Sequence, residues 1–235
     1  MSDRSISPGR VAAEFSIILF GVLAALVADD WRQGAEQTEA AEAATSLLIE
    51  DLRRDSAELA RVVAYRPGTR PQMGRLLVNT DRAEFPVDSA ESAMRSLLFG
   101  TPYNPVRSTF DLLIDQDRLR HMGDLTLQTA IVRYYDQNQD RVVIWRDAFI
   151  DAHDEYGDAY APYMSPLAES VEQVTTTWAS VTMRLTVPWD VVRRDNVFMN
   201  TVMGLQAVGE FYERFAREAM AANAELLDEL ESLHW

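Results

Sequence analysis

Between Val11 and Ala28 eighteen residues pass with Glu14 as the single charge, and no other stretch of the chain is so poorly matched to water. A run of about 18 apolar residues is just long enough to cross a bilayer, whereas about 10 to 14 is the length of a signal-peptide core or a buried helix. Glu14 lies near the end of the run, where a carboxylate reaches the headgroup layer, is protonated or pairs with a group on another chain. Arg4 and Arg10 precede the run as they would in a secretory signal. Cleavage after Ala28 would set Leu26 and Ala28 where small residues are wanted, so retention of the segment is the expectation. Trp31 suits an interfacial aromatic anchor. Gly21 with Ala25, and Ala24 with Ala28, are small residues four apart, a spacing that lets another helix approach closely. The expected organisation is a polar tail over 1–10, a transmembrane anchor over 11–31 and a helical extramembrane domain over 32–235.

The remaining length and the 47% hydrophobic content suffice for one body of about 200 residues with its own core. There is no cysteine, which removes disulfides and thiolate metal sites. All 22 basic residues are Arg, and the formal net charge is −15. Such a balance argues against nucleic acid as a partner, because binding it needs cations that displace counterions from phosphates. Arg4 and Arg10 lie before the span, while Asp29, Asp30 and one Arg32 follow it closely. The positive-inside bias then predicts a cytoplasmic N-terminus and a periplasmic body at the inner membrane of a two-membrane bacterium.

The body reads as helix. Ala35 to Tyr65 is rich in Ala, Glu, Leu and Arg, with Leu48, Leu52, Leu59 and Val63 at helical spacing. Pro67, Gly68 and Pro71 predict a break before a short helix over 72–78. Asp88 or Ser89 is expected to cap the next helix, and Asn104 with Pro105 to open another through Ile114. Gly123 and Asp124 precede a long helix over 125–160. Within it Trp145, Phe149, Tyr156, Tyr160 and Tyr163 form an aromatic stripe expected in the core. Asp140, Asp147, Asp151, Asp154 and Asp158 form an acidic stripe expected to face solvent. Residues 166–187 alternate in a way that also suits a strand, but helix is preferred because a lone strand would have no partner. The last helix is expected from Asp190 to Leu233, buried through Phe198, Val202, Leu205, Val208, Phe211, Phe215, Met220, Leu227 and Leu230.

The spacing Glu14, Gly21, Ala25, Trp31, in an aliphatic run that closes on two short polar residues and a Trp, resembles an uncharacterised bacterial family of single-span proteins. Asp29 and Asp30 stand where that family has two Asn. The stretch Asn104-Pro105-Val106-Arg107-Ser108-Thr109-Phe110, with Asp111-Leu112-Leu113 and later Ile131-Val132-Arg133-Tyr134-Tyr135, resembles its mid-chain pattern. The resemblance covers about a third of the chain. It implies a membrane-anchored, all-helical fold and supplies no catalytic residues.

The sequence carries few groups arranged for chemistry. His121, His153 and His234 are scattered and none lies in the span, so the anchor has no imidazole to offer a membrane cofactor. There is no phosphate loop, G-x-S-x-G or H-E-x-x-H. A hydrolase fragment of Ser108 with His121 or Asp111 has no supporting spacing. Arg107 and Arg118 to Arg120, near Asp111 and Asp115, are expected in surface ion pairs.

The chain is thus expected to be all-α, one transmembrane helix followed by an irregular bundle of about five to seven helices, with no catalytic residue, cofactor or metal. Its expected role is that of a non-catalytic accessory or scaffolding subunit of a larger integral membrane complex. Its partners would be other integral membrane subunits and the lipid bilayer. The complex is taken to be a photosynthetic or respiratory energy-transducing assembly, a choice made by no motif. The alternative is a membrane-tethered sensor or ligand-binding domain, which requires an apolar pocket inside the bundle. A third reading, a metal-assisted hydrolase, requires an ion among Asp147, Asp151 and His153.

Overall fold

The computed structural model describes residues 8–79, 85–98, 100–167 and 182–233; within the first helix the side chains of 8–21, 24, 25, 27, 28, 30, 33–38 and 66–70 lie outside the description. The fold is all-α, with seven α-helices among the described residues. They are α1 (Pro8–Val78), α2 (Val87–Ser96), α3 (Ser108–Asp115), α4 (Leu125–Arg133), α5 (Asp140–Tyr160), α6 (Trp189–Val192) and α7 (Asn196–Glu231). A π-helical turn, Tyr134–Gln139, joins α4 to α5, so the segment predicted as one helix over 125–160 is continuous but changes pitch in its middle.

Three long elements make the bundle, and their order follows from which side chains meet. Trp145 stacks on Phe211 at 4.6 Å between ring centroids, Phe149 meets Tyr212 at 5.3 Å and Tyr156 meets Phe198 at 5.9 Å. Climbing α5 therefore descends α7, and the two are antiparallel. Leu48 and Leu52 of α1 cluster with Leu226 and Leu230, whereas Leu59 to Leu76 cluster with residues from Phe198 to Ala219. Thus α1 is also antiparallel to α7, which sits between α1 and α5.

The buried positions repeat in alternating steps of four and three. On α1 they are Ala41, Thr45, Leu48, Leu52, Asp55, Leu59 and Val62, with Asp51 buried beside them, and the phase is kept at Met73 and Leu76. On α7 they are Phe198, Val202, Leu205, Gly209, Tyr212, Ala216, Ala219, Asn223, Leu226 and Leu230, with Met199 and Glu213 also buried beside the seam. A sustained 3.5-residue period is the knobs-into-holes geometry of coiled coils and four-helix-bundle packing. It corrects the sequence reading of the last helix after Leu205. Phe211 is exposed, and Val208, Phe215, Met220 and Leu227 are only partly buried. The seam instead passes through Gly209, Ala216 and Ala219, whose small size lets α7 approach two neighbours at once.

Other expectations are also revised. The predicted break at Pro67 to Pro71 is absent, and α1 runs on to Val78. An interior Pro costs a helix about 3 kcal/mol. Burying Met73 and Leu76 in the same cluster as Leu59 and Val62 offsets it, at about 1.5 to 3 kcal/mol each. Val62 rather than Val63 is the buried residue of the pair. The second helix begins at Val87, with Pro86 in the capping position. The last helix is two, because Asp195 interrupts the chain after α6 and caps α7 through Val197 N and Phe198 N. Residues 164–167 and 182–185 are strands that pair with each other antiparallel, Met164 opposite Leu185, so the strand thought to be alone finds its partner just upstream. Buried Glu91 of α2 accepts a hydrogen bond from Leu185 N at 2.9 Å and ties this ribbon to the bundle. The intervening residues 168–181 lie outside the described residues.

Ala219→Leu in the seam is expected to destabilise the protein by about 1 to 3 kcal/mol through overpacking. Ala221→Leu, two residues on at an exposed position, is expected to change stability by less than about 0.5 kcal/mol. Urea unfolding of the two variants beside the parent measures the difference.

Candidate functional site: a polar layer across the bundle

The two buried apolar clusters are separated by a layer of polar side chains. Asp55 lies between Leu52 and Leu59 on α1, Asn223 between Ala219 and Leu226 on α7, and Gln139 closes the π turn before Val142; none of the three is accessible to solvent. Each long element therefore puts a polar residue into its seam at one level.

Around Asp55 the donors converge. One carboxylate oxygen accepts from the Tyr103 hydroxyl at 2.6 Å and from Val106 N at 3.1 Å. The other accepts from the Tyr134 hydroxyl. Asn223 donates to the Tyr134 oxygen at 2.9 Å and to Leu52 O at 3.0 Å, and Gln139 donates to Val106 O at 3.2 Å. One turn earlier on the same face, Asp51 accepts from Ser108 Oγ at 3.0 Å and Thr109 N at 2.8 Å. An aspartate of α1 thereby supplies the cap that the first turn of α3 lacks locally. This is why α3 starts at Ser108, whereas Asn104 and Pro105, predicted as its cap and first turn, lie in the extended segment before it.

The segment from Thr101 to Arg107 has no regular structure, and side chains from the helices fix it. Arg61 donates to Pro102 O at 2.8 Å, Arg146 to Tyr103 O at 3.0 Å and Tyr212 to Thr101 O at 3.3 Å. Arg107 pairs with Asp111 at 2.9 Å and Asp140 at 3.0 Å, and its guanidinium lies 5.5 Å from the centre of the Phe110 ring. Phe110 stacks on Tyr135 at 4.4 Å. The π turn explains how neighbouring Tyr134 and Tyr135 are both buried, since its wider pitch re-aims consecutive side chains. Hence the two separated stretches, 104–113 and 131–135, meet in space on α1.

Burial raises the Asp55 carboxyl above its usual range, although the hydroxyls of Tyr103 and Tyr134 and the Val106 amide favour its charge. Burial, then the negative charge of Asp55, pushes both tyrosine hydroxyls far above their usual value. Tyr135 OH, Gln139 Oε1 and Asn223 Oδ1 are buried without a hydrogen-bond partner in the protein. Leaving such a group unpaired costs about 1 to 3 kcal/mol. With three donors on one carboxylate, the layer is built to hold segments in register rather than to present a reactive oxygen.

The sequence-predicted residues lie elsewhere. Side chains of Glu14, Gly21, Ala24, Ala25 and Ala28 fall outside the described residues. Trp31 is described and is 79% exposed, as Val22, Leu23 and Leu26 are also exposed. No helix among the described residues is long and apolar enough to cross a membrane; most of the predicted span is not among those side chains. Ser108 is bound to Asp51 and His121 accepts from Arg120, so no hydrolase fragment is assembled. Asp147 pairs with Arg146 at 2.8 Å, and His153 turns its Nδ1 toward Phe149 O at 3.1 Å, with its ring against Phe149. Among the described residues no group of three His, Asp or Glu could hold a metal ion. Asp55, Gln139 and Asn223 went unread in the sequence; the available signal was a polar residue at an apolar step of the four-three repeat.

No protein-family model, curated protein or solved structure matches this chain.

Asp55→Ala, which strands two buried tyrosine hydroxyls, is expected to cost about 2 to 4 kcal/mol, and Asp55→Asn less. Because the folded carboxyl holds its proton to higher pH than the unfolded one, its contribution is largest below the unfolded value of 3.8 and is lost as pH rises through the folded pKa. The stability difference between parent and Asp55→Asn should therefore shrink steadily on going from acid toward neutral pH, as urea titrations at several pH values would reveal. A flat difference would contradict the raised carboxyl.

Proposed function

We propose that this protein is a membrane-anchored, non-catalytic accessory subunit that buttresses a larger integral membrane complex. Its N-terminus is cytoplasmic and its bundle periplasmic. The observation that carries the reading is the exposure of Val22, Leu23, Leu26 and Trp31 on the same helix that, from Ala41 onward, is buried in the bundle. Apolar side chains on an uncovered helix call for lipid or another chain, and the eighteen-residue run that contains three of them has the length to span a bilayer. Asp29 and Arg32 form an ion pair at 3.2 Å beside Trp31, which suits a water boundary there.

The polar layer supports the same role. It fixes the mid-chain segment to α1 at Asp51 and Asp55, so the helix that carries the anchor also organises the body. The resemblance to the single-span bacterial family points the same way, since both of its mid-chain stretches converge on that helix. The rival sensor reading needs a pocket inside the bundle. One described cleft, of about 350 Å³ between Ala41, Leu113 and Arg118, is open to the surface rather than enclosed by the bundle.

Replacing Gly21 or Ala25 with Leu should leave the protein in the membrane fraction but release it from its complex on mild detergent extraction. Co-purification at the level of the parent would count against this function.

A further inference from the structure

The bundle end remote from the anchor carries an open groove of about 590 Å³ between the last turns of α5 and the first turns of α7. Its apolar lining is formed by Ala159, Pro162 and Val197, with Val197 72% exposed, over the fully buried Phe198. Its rim is acidic, formed by Glu155, Asp158 and Asp195. Tyr163 OH donates to one oxygen of Asp195 while the other caps α7, so this carboxylate is fixed in place. Asp151 and Asp154 extend the acidic rim one turn back along α5, and both are exposed.

No ion pair forms at Asp151, Asp154, Glu155 or Asp158 among the described residues, and the sequence has no Arg or Lys between Arg146 and Arg184, only His153, whose ring packs on Phe149. Asp151 and Asp158 each stand three or four residues from both Asp154 and Glu155, where like charges on a helix repel. The described residues thus set a repulsive rim beside an apolar lining, and among them nothing offsets either. A lipid surface does not suit a floor flanked by carboxylates, and a second copy would bring the same charges together. A helix with apolar residues along one side and Lys or Arg along its flanks answers both needs.

We propose that this groove is the docking site for a cationic amphipathic helix of a neighbouring subunit. Its apolar side lies on Val197 and Ala159, and its cations face Glu155, Asp158 and Asp151. The proposal rests on the accessory-subunit reading and adds a second point of attachment. Residues 197 and 230 of α7 are separated by about 50 Å at 1.5 Å per residue, so the anchor would hold one end of the body and the groove the other.

The test uses the full chain in lipid nanodiscs and a synthetic eighteen-residue Leu/Lys amphipathic peptide (about five turns), with a scrambled peptide of the same composition as control. Binding is followed by fluorescence anisotropy and the footprint by hydrogen exchange. The expected result is protection confined to 151–162 and 195–201, and affinity about tenfold weaker for the combined Asp151→Asn, Glu155→Gln, Asp158→Asn variant. Val197→Ser should weaken it as well, with circular dichroism unchanged in both. Equal binding of the scrambled peptide, protection elsewhere, undiminished affinity in the variants, or self-association of the chain through these residues would overturn the proposal. Native co-purification separates the two readings. Release by Gly21→Leu with full retention of the triple variant refutes the groove and leaves the anchor reading standing, while release by the triple variant alone does the reverse.

Discussion

Asp55 is the residue on which the arrangement turns. A carboxylate in a hydrophobic seam is costly to desolvate, and the cost is tolerable only while Tyr103, Tyr134 and Val106 all donate to it. Those donors come from an extended segment and from the π turn, while Asn223 links Tyr134 to α7 and to the backbone of α1. Any slip of one helix by a turn would leave the charge without partners. Apolar layers above and below would accept several registers, but this layer accepts one, much as a single buried Asn fixes the alignment of a coiled coil.

The seam determines what the rest of the sequence is free to be. α7 is buried against both α1 and α5, so it needs small residues where the two neighbours approach together, and Gly209, Ala216 and Ala219 supply them. Phe198 and Tyr212 fill the seam where there is room, while Phe211 and Phe215 sit at the flank, stack on Trp145 and are covered by Arg214 at 4.8 Å from each ring. Gly209, Ala216 and Ala219 therefore set the spacing of the helices, and the Trp145 stack seals the edge.

This division explains what could be read from residues alone. The helical character of the body was legible, as were Leu48, Leu52 and Leu59 on α1 and the burial of Phe149, Tyr156 and Tyr160, because large apolar residues at helical spacing have few other places to go. The centre of α7 was misread because the reading followed size, and Phe211 outweighed Ala216. The strands at 164–167 and 182–185 were missed because their pairing depends on two short segments fourteen residues apart, each unconvincing by itself. The α3 start was misplaced because its cap is Asp51, 57 residues upstream of Ser108. Long-range hydrogen bonds leave no local signature. For the polar layer the residues were visible, yet only the spatial level shared by Asp55, Gln139 and Asn223 gives them meaning.

The continuity of α1 makes the molecule a lever. Trp31 and Asp55 stand on one helix about 36 Å apart, so a tilt of the lower arm by about 10° sweeps the polar layer sideways by roughly 6 Å. Because α3, the π turn and α7 are all bonded to that layer, they travel with it as a single piece. Small reorientations of the N-terminal arm are thereby magnified into nanometre-scale excursions of the far tip.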